Sequence, residues 1–231
     1  MTAGQEETAQ MRILVFAGVV ALAPAMMAPA AVSHAGPITT LYNTGVNASG
    51  TPLADGTIGD PHYSLVSVPS GSTTDIRVRT SAGGYPIPPY IGDDSFSAWI
   101  GPNNDSMLDG PVGEYDYRTT FNLAGFNPAT ASITGQWSTD NEGVEILING
   151  VATGNTIPNP TSYESFTSFA IGSGFVSGTN TLDFLVNNDG GPTALRVEMT
   201  GTATTVPEPA SLALLGGALL GFGAIRRRRL M

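Results

Sequence analysis

The sequence predicts an all-β fold, a single two-sheet β-sandwich of the jelly-roll type. Several segments alternate apolar and polar residues, which is the period of a β-strand with one buried face. Between residues 36 and 206, no stretch has the sustained apolar spacing of an amphipathic helix. The 29 glycines and 17 prolines mark frequent turns, and 41% hydrophobic residues is too high a content for a disordered chain.

Residues 1–35 are predicted to be a leader that contains a secretory signal peptide. The first ten residues are polar and acidic, and Met11 and Arg12 then open an apolar run over residues 13–25. A basic start, an apolar centre and the end Ser33-His34-Ala35 are typical of a signal peptide that is cut after Ala35. Met11 is the expected start, and an uncleaved anchor is the alternative.

The predicted sandwich domain covers residues 36–205. Its clearest strand is 113–121, where Tyr115, Tyr117, Thr119 and Phe121 share one face and Glu114, Asp116 and Arg118 share the other. Asn149-Gly150 predicts a hairpin, because both residues tolerate the positive φ of a type I′ turn. Further strands are predicted at 39–42, 63–68, 76–79, 96–100, 129–137, 144–148, 163–171, 182–186 and 195–199, giving about ten in all.

The charge of this domain limits its partners. Residues 36–205 contain sixteen acidic residues and four arginines. A strongly negative domain repels nucleic acid and anionic membranes, so no nucleic-acid partner is expected. The absence of cysteine from the sequence excludes disulfides, thiolate zinc sites and a cysteine nucleophile.

Aromatic residues close to Asp and Asn side chains suggest a sugar-binding site, since sugars stack on rings and hydrogen-bond to polar groups. Trp137 precedes an Asp-Asn pair, Trp99 follows Asp93 and Asp94, and a Gly/Pro-rich loop at 83–90 contains two tyrosines. The alternatives are that both tryptophans belong to the core and that the two tyrosines pack back onto the sandwich. The candidate glycan-binding residues are Trp99, Trp137, Asp140, Asn141, Tyr85 and Tyr90.

Loops rich in oxygen ligands make a structural calcium ion the candidate metal, and no cofactor is otherwise expected to be required. Such loops occur at 93–94, 140–143 and 187–190, although none has EF-hand spacing and plain turns are the alternative. The candidate ligands are Asp140, Asn141, Glu142, Asn187, Asn188 and Asp189.

Catalytic signals are weak. His62 is the only histidine that remains after the predicted cleavage, and a structural turn is the favoured interpretation of its neighbourhood. Glu114 and Asp116 lie on one strand face, but the neighbouring Arg118 favours a solvated row of charges. No catalytic-serine elbow or phosphate-binding loop is present. The chain is therefore expected not to be an enzyme, and a glycan hydrolase or lyase that uses these acidic residues is the alternative.

The C-terminal segment, residues 206–231, combines three elements. Val206, Pro207, Glu208 and Pro209 hold the chain extended, because proline fixes φ and disfavours a helix before it. An apolar run at 210–225 predicts a short transmembrane helix. Arg226, Arg227, Arg228 and Arg229 would keep its end on the cytoplasmic side. A plain tail anchor and a basic nucleic-acid patch are the alternatives.

This order of elements resembles the PEP-CTERM sorting signal of Gram-negative bacteria. The resemblance implies export, a transient inner-membrane anchor, and processing by an exosortase, a membrane cysteine protease. It also implies delivery to the cell surface or extracellular matrix, often in bacteria that make extracellular polysaccharide.

Residues 135–150 and 178–198, with Trp99-Ile100-Gly101-Pro102 and Tyr115-Asp116-Tyr117-Arg118, look like the galactose-binding-like β-sandwich. That fold occurs as an accessory module in carbohydrate-active enzymes and surface proteins. Together the two resemblances imply a non-catalytic exported protein that binds extracellular polysaccharide or forms part of it.

Overall fold

Two antiparallel sheets face each other in the part of the chain that the computed structural model describes, residues 33–207 and 215–216. At most connections the chain crosses from one sheet to the other, as in a jelly roll. The six-stranded sheet has the order β3-β4-β11-β6-β9, with β1 beside β11. Its strands are β1 (Ala35–Pro37), β3 (Ile76–Arg79), β4 (Trp99–Pro102), β6 (Phe126–Asp140), β9 (Thr167–Ile171) and β11 (Ala194–Thr205).

The five-stranded sheet has the order β2-β5-β10-β7-β8. Its strands are β2 (Tyr63–Ser67), β5 (Gly113–Asn122), β7 (Gly143–Ile148), β8 (Val151–Ala152) and β10 (Thr179–Asn188). Two short 3₁₀ turns, Ser81–Gly83 and Ser162–Glu164, interrupt the loops. Within residues 33–207 there is no α-helix, so the prediction of an all-β two-sheet sandwich is confirmed.

The core lies between the sheets and is centred on Phe184 of β10. Its ring centroid lies 5.8 Å from that of Trp137 and 6.1 Å from that of Phe169, both on the opposite sheet. Full burial of a side chain of this size contributes about 1.5–3 kcal/mol. These contacts join the two sheets through their inner faces.

The strongest sequence patterns are confirmed. Along β5, Tyr115, Tyr117, Thr119 and Phe121 are buried, while the residues between them point outward. Asn149 and Gly150 have φ values of 51° and 78° and connect β7 to β8 as the predicted hairpin.

Three strand predictions are wrong in part or in whole. Residues 39–42 form no strand, because the N–H of Leu41 turns back to the carbonyl of Ile38 at 3.3 Å. Within 96–100 the strand begins only at Trp99, because Oδ1 of Asp94 accepts the N–H groups of Phe96 and Ser97. The segment 163–171 becomes a strand only at Thr167, after a 3₁₀ turn.

The last strand leads directly into the C-terminal segment. The N–H of Thr205 donates to His34 O and that of Val206 to Gly125 O, each at 2.8 Å. The residues described contain no helix long and apolar enough to cross a membrane.

Several predictions fall outside those residues. Leu215 and Gly216 are helical, but the rest of the predicted helix 210–225 is not described. The same holds for Glu208, Pro209, the four arginines at 226–229 and most of the predicted signal peptide. The domain boundaries at 35 and 206 therefore stay predictions.

Candidate functional site

The two tryptophans are not exposed platforms. Trp137 is fully buried in the sandwich core. Trp99 points to the outer side of the six-stranded sheet but is also fully buried, and its Nε1 donates to Ile91 O at 3.0 Å. Neither ring can stack on a sugar, so this part of the predicted glycan site is wrong.

A segment that we call the covering loop, residues 80–98, explains the burial of Trp99. It folds over the outer face of the six-stranded sheet and brings Tyr85, Tyr90 and Ile91 onto the Trp99 ring. Tyr85 is 1% exposed. Tyr90 stacks on Tyr163 with ring centroids 4.3 Å apart. The two tyrosines thus belong to a second apolar cluster with Trp99, so they pack back onto the sandwich and Tyr85 presents no ring to a sugar.

Asp140 lies beneath this loop. Its Oδ2 accepts the hydroxyl of Tyr90, and the residue is buried. Burial raises the pKa of the Asp140 carboxyl to about 6, although the hydrogen bond from Tyr90 lowers it. Asn141 is engaged elsewhere, since its Oδ1 accepts the N–H of Asp189 at 2.7 Å. The structure therefore separates this predicted sugar-binding pair.

Four of the six predicted calcium ligands lie together. Nδ2 of Asn187 donates to Glu142 Oε2 at 3.0 Å and to Asp189 Oδ1 at 2.8 Å, and Asn141 borders this group. Asp140 is held under the covering loop, and Asn188 is buried and donates to Gly110 O. In the described part of the chain no group of three or more His, Cys, Asp or Glu side chains is placed to hold a metal. Calcium binding at the four clustered residues stays a prediction.

The contacts of His62, one of the weak catalytic candidates, are those of a structural residue. The ring of His62 stacks on Tyr42 at 3.5 Å. Its turn is held by Asp60, which accepts the N–H groups of Gly45, His62 and Tyr63.

Glu114 and Asp116 lie on the outer face of β5. Burial and then the charge of Asp183 raise the pKa of Asp116 to about 6, while the charge of Arg118 lowers it. Arg118 itself pairs with Asp183, through Nε and Nη2. These side chains form a row of charges as expected, but the row is not fully solvated, since Asp183 is buried and Asp116 is half-buried.

A different feature has the shape of a binding site. An open groove of about 660 Å³ crosses the outer face of the six-stranded sheet. Gly135 forms part of its floor, where a Cβ would lie only 2.4 Å from the carbonyl oxygen of Glu198. The polar side chains that line the groove are Asn43, Thr134, Gln136, Ser168, Glu198 and Thr200, and the ring of Phe96 adds apolar surface.

Glu198 is the acidic side chain of the groove and is held rigidly. Its Oε1 accepts Ser97 Oγ and its Oε2 accepts Gln136 Nε2, both at 2.8 Å. Its side chain is 17% exposed. The carboxylate is thus fixed by neighbouring side chains, and Gln136 still has a donor and an acceptor position for a ligand.

Phe96 provides the exposed ring of the groove, with 62% of its surface accessible. Its N–H donates to Asp94 Oδ1 at 2.7 Å, and its carbonyl accepts Asn43 Nδ2 at 3.0 Å. Burial raises the pKa of Asp94, but the N–H of Phe96 and the charge of Arg196 bring it below its usual value. The backbone that presents the ring is therefore anchored on both sides.

Sequence reasoning did not identify this groove. The alternation in 195–199 correctly placed Glu198 on the outer face of β11, opposite the core. Gln136 faces it from β6, and only strand pairing brings the two together. For Phe96 no local signal existed, because a phenylalanine in a predicted strand is expected to be buried.

The comparisons with known proteins add a sorting signal. The PEP-CTERM protein-sorting motif matches residues 205–229, which include Val206 to Pro209 and the four arginines. The chain therefore carries this motif directly after its last strand. No curated protein matches the sequence significantly.

Three solved structures are similar to the chain. CBM35 from Paenibacillus barcinonensis is 16% identical, with 62% of this chain and 98% of that chain covered and a TM-score of 0.34. A family 35 carbohydrate binding module from Clostridium thermocellum is 11% identical, with 63% and 89% covered and a TM-score of 0.31. The CBM36-1 domain of a multidomain xylanase from the hindgut metagenome of Trinervitermes trinervoides is 17% identical, with 49% and 82% covered and a TM-score of 0.29. At these identities and scores the likenesses support no statement about a ligand, and the fold rests on this chain's own strand pairing.

Proposed function

We propose that this chain is an exported protein that an exosortase sorts to the cell surface or extracellular matrix, where its sandwich binds polysaccharide in the groove over the six-stranded sheet. The groove is the observation that carries the binding part of this proposal, because it combines an exposed ring with fixed polar side chains. The PEP-CTERM motif supports the sorting part.

The groove suits an uncharged sugar chain. The C–H face of a pyranose can stack on Phe96, while its hydroxyls meet Gln136, Glu198 and the hydroxyl side chains of the sheet. An open groove accepts a long chain from the side, whereas a closed pocket takes only an end. The fixed carboxylate of Glu198 repels uronic acids, so neutral polysaccharides are the proposed ligand class.

Binding without cleavage is the activity that the groove supports. Hydrolysis of a glycosidic bond ordinarily uses two carboxyl groups on either side of it. Glu198 is the one acidic residue among the groove-lining residues, and both of its oxygens already accept hydrogen bonds.

Delivery follows from the two ends of the chain. In this proposal the signal peptide carries the domain across the inner membrane, and the apolar run at 210–225 holds it there with the arginines inside. The exosortase then cuts the tail and releases the sandwich.

Binding can be tested by affinity electrophoresis in gels that contain the host's own polysaccharide, a neutral glucan, a neutral galactan or alginate as the uronate comparator. The neutral polymers are expected to retard the wild type, and Phe96→Ala is expected to weaken retention at least about tenfold, since a lost stacked ring costs about 1.4 kcal/mol or more.

Val112→Ala is the matched control, because Val112 is 66% exposed and does not line the groove. It should bind like the wild type. Absence of retention by every neutral polymer, or equal retention of the wild type and Phe96→Ala, would contradict the proposed site.

A further inference from the structure

The two ends of the sandwich differ in charge. We define the tail-exit end as residues 122–127, 149–151, 172–180 and 204–207, and the opposite end as residues 103–114, 140–142 and 187–193. The tail-exit end contains no Asp, Glu, Lys or Arg. The opposite end contains six acidic residues and no basic one: Asp105, Asp109, Glu114, Asp140, Glu142 and Asp189.

Hydrogen bonds join the segments that make up the tail-exit end. At the tail-exit end Val206 N–H donates to Gly125 O and Leu123 N–H to Gly178 O, both at 2.8 Å. The buried side chain of Asn180 connects the loop 172–178 to the hairpin, since its Oδ1 accepts both Val176 N–H and Asn149 Nδ2 at 2.8 Å. The tail thus leaves from a continuous, well-bonded surface that carries no charged side chain.

This surface is also partly apolar. Val151, Val176 and Val206 are 62%, 48% and 55% exposed. The rest consists mainly of Gly, Ser, Thr, Asn and Ala side chains. His34, whose carbonyl accepts Thr205 N–H, precedes the predicted signal-peptide cleavage point.

The short connection beyond Val206 limits the distance between the sandwich and the start of the apolar run. Three residues separate Val206 from Ala210, where the apolar run of the sorting motif begins, and an extended chain between these two residues spans at most about 14 Å. The polar headgroup layer on each side of a bilayer is about 5–8 Å thick. When the apolar run is inserted, the tail-exit end must lie close to the lipid headgroups.

We propose that the tail-exit end docks on the lipid surface while the tail is in the membrane, and that the acidic opposite end points away from it. This inference rests on the proposed insertion of the tail. β6 runs from one end to the other and its 15 residues span on the order of 50 Å. The screening length is about 8 Å at physiological ionic strength, so the acids at the far end feel almost no repulsion from anionic lipids.

Docking would hold the sandwich in one orientation above the exosortase cleavage region. The groove lies on a sheet face and not at an end, so it would remain open to polysaccharide while the protein awaits cleavage. A domain whose acids faced the membrane would instead be pushed outward against its short connection.

The sequence contains no cysteine, so a single introduced cysteine gives a clean label. Ser177→Cys labels the tail-exit end and Ser106→Cys the opposite end, and both serines are exposed. The chain from Gly36 to Met231, the form left by the predicted signal-peptide cleavage, is reconstituted into vesicles of phosphatidylcholine and phosphatidylglycerol, and an attached fluorophore is quenched by headgroup spin-labelled lipid. We expect severalfold stronger quenching at position 177 than at position 106.

Charge variants sharpen the test. Ala124→Glu adds an acid to the tail-exit end, and Val112→Glu adds one to the opposite end; both native side chains are exposed. Ala124→Glu should reduce quenching at position 177 severalfold in anionic vesicles and little in pure phosphatidylcholine, whereas Val112→Glu should leave it unchanged.

Co-flotation with the vesicles reports tail insertion separately. Vesicle-bound protein with equal quenching at both positions would overturn docking and leave the proposed membrane hold intact. Equal quenching is also the result expected if the tail-exit end contacts the exosortase and not lipid, because these vesicles contain no exosortase. Protein that does not float with the vesicles would overturn both proposals.

Discussion

Nη2 of Arg196 lies 2.7 Å from Oδ2 of Asp94, and this arginine is fully buried although it points away from the sandwich core. Its Nε donates to Ser97 Oγ at 2.7 Å and its Nη1 to Gly92 O at 2.6 Å. One side chain of β11 therefore binds the covering loop at three residues. Because Asp94 in turn accepts the N–H of Phe96, the same ion pair sets the position of the exposed groove ring.

Arg196→Lys is expected to lower the free energy of unfolding by about 2–3 kcal/mol, since an ammonium cannot reach acceptors that a planar guanidinium bonds together. It should also weaken polysaccharide retention, because the segment that presents Phe96 loses its anchor. Urea unfolding with a constant m-value measures the first effect, and affinity electrophoresis measures the second.

Arg77→Lys is the matched control for this prediction. Arg77 is half-buried on β3, which β4 separates from β11, and its Nε makes one side-chain hydrogen bond, to Asn103 at 2.7 Å. That change should cost about 1 kcal/mol and leave retention unaffected. Equal stability losses in the two variants would show that Arg196 has no special role in anchoring the loop.

The raised pKa of Asp140 predicts that the free energy of unfolding depends on pH. Burial raises its pKa from 3.8 to about 6 in the folded protein, so between these values the folded state binds a proton that the unfolded state has released. The contribution of Asp140 to stability is therefore complete below pH 3.8 and is lost as the pH rises through about 6. Urea midpoints of Asp140→Asn should accordingly change less across this window than those of the wild type.

Asn can still accept the hydroxyl of Tyr90, so this variant changes the titration with little change of shape. Asp75→Asn removes one exposed carboxylate and controls for the change in net charge. The pKa of Asp116 is also raised to about 6, so this residue makes its own contribution to the change of stability with pH. Asp116→Asn should remove that contribution without affecting the contribution of Asp140. If the urea midpoint of Asp140→Asn changed with pH as steeply as that of the wild type, the burial of this carboxyl would be contradicted.

The sandwich could be predicted from sequence because its strands obey local rules. The alternation along β5 and the Asn149-Gly150 turn each depend on a few adjacent residues, and both are confirmed. The failed strands depend on contacts that the sequence does not display. Asp94 captures two N–H groups of its own loop, for example, and so delays the start of β4 to Trp99.

The candidate site was harder to predict, because its members come from five separate parts of the chain. Trp99 and Trp137 were natural choices by residue type, yet the first is covered by a loop and the second fills the core. Glu198 and Gln136 are neighbours only through the register of β11 with β6. Phe96 is exposed only because Asp94 and Asn43 hold its backbone at the rim.

The sorting motif gives the last prediction. Val206 and Pro207 are exposed where the chain leaves the sandwich, so a membrane protease can reach the motif without unfolding the domain. Intact-mass measurement of the secreted protein is expected to show a chain without the apolar run at 210–225 and the arginines behind it. Glu208→Ala with Pro209→Ala should block this processing and leave full-length protein in the membrane fraction. Thr202→Ala, at an exposed position of β11 before the motif, is the control that should be processed normally. A secreted protein that retains the four arginines would contradict cleavage of the tail.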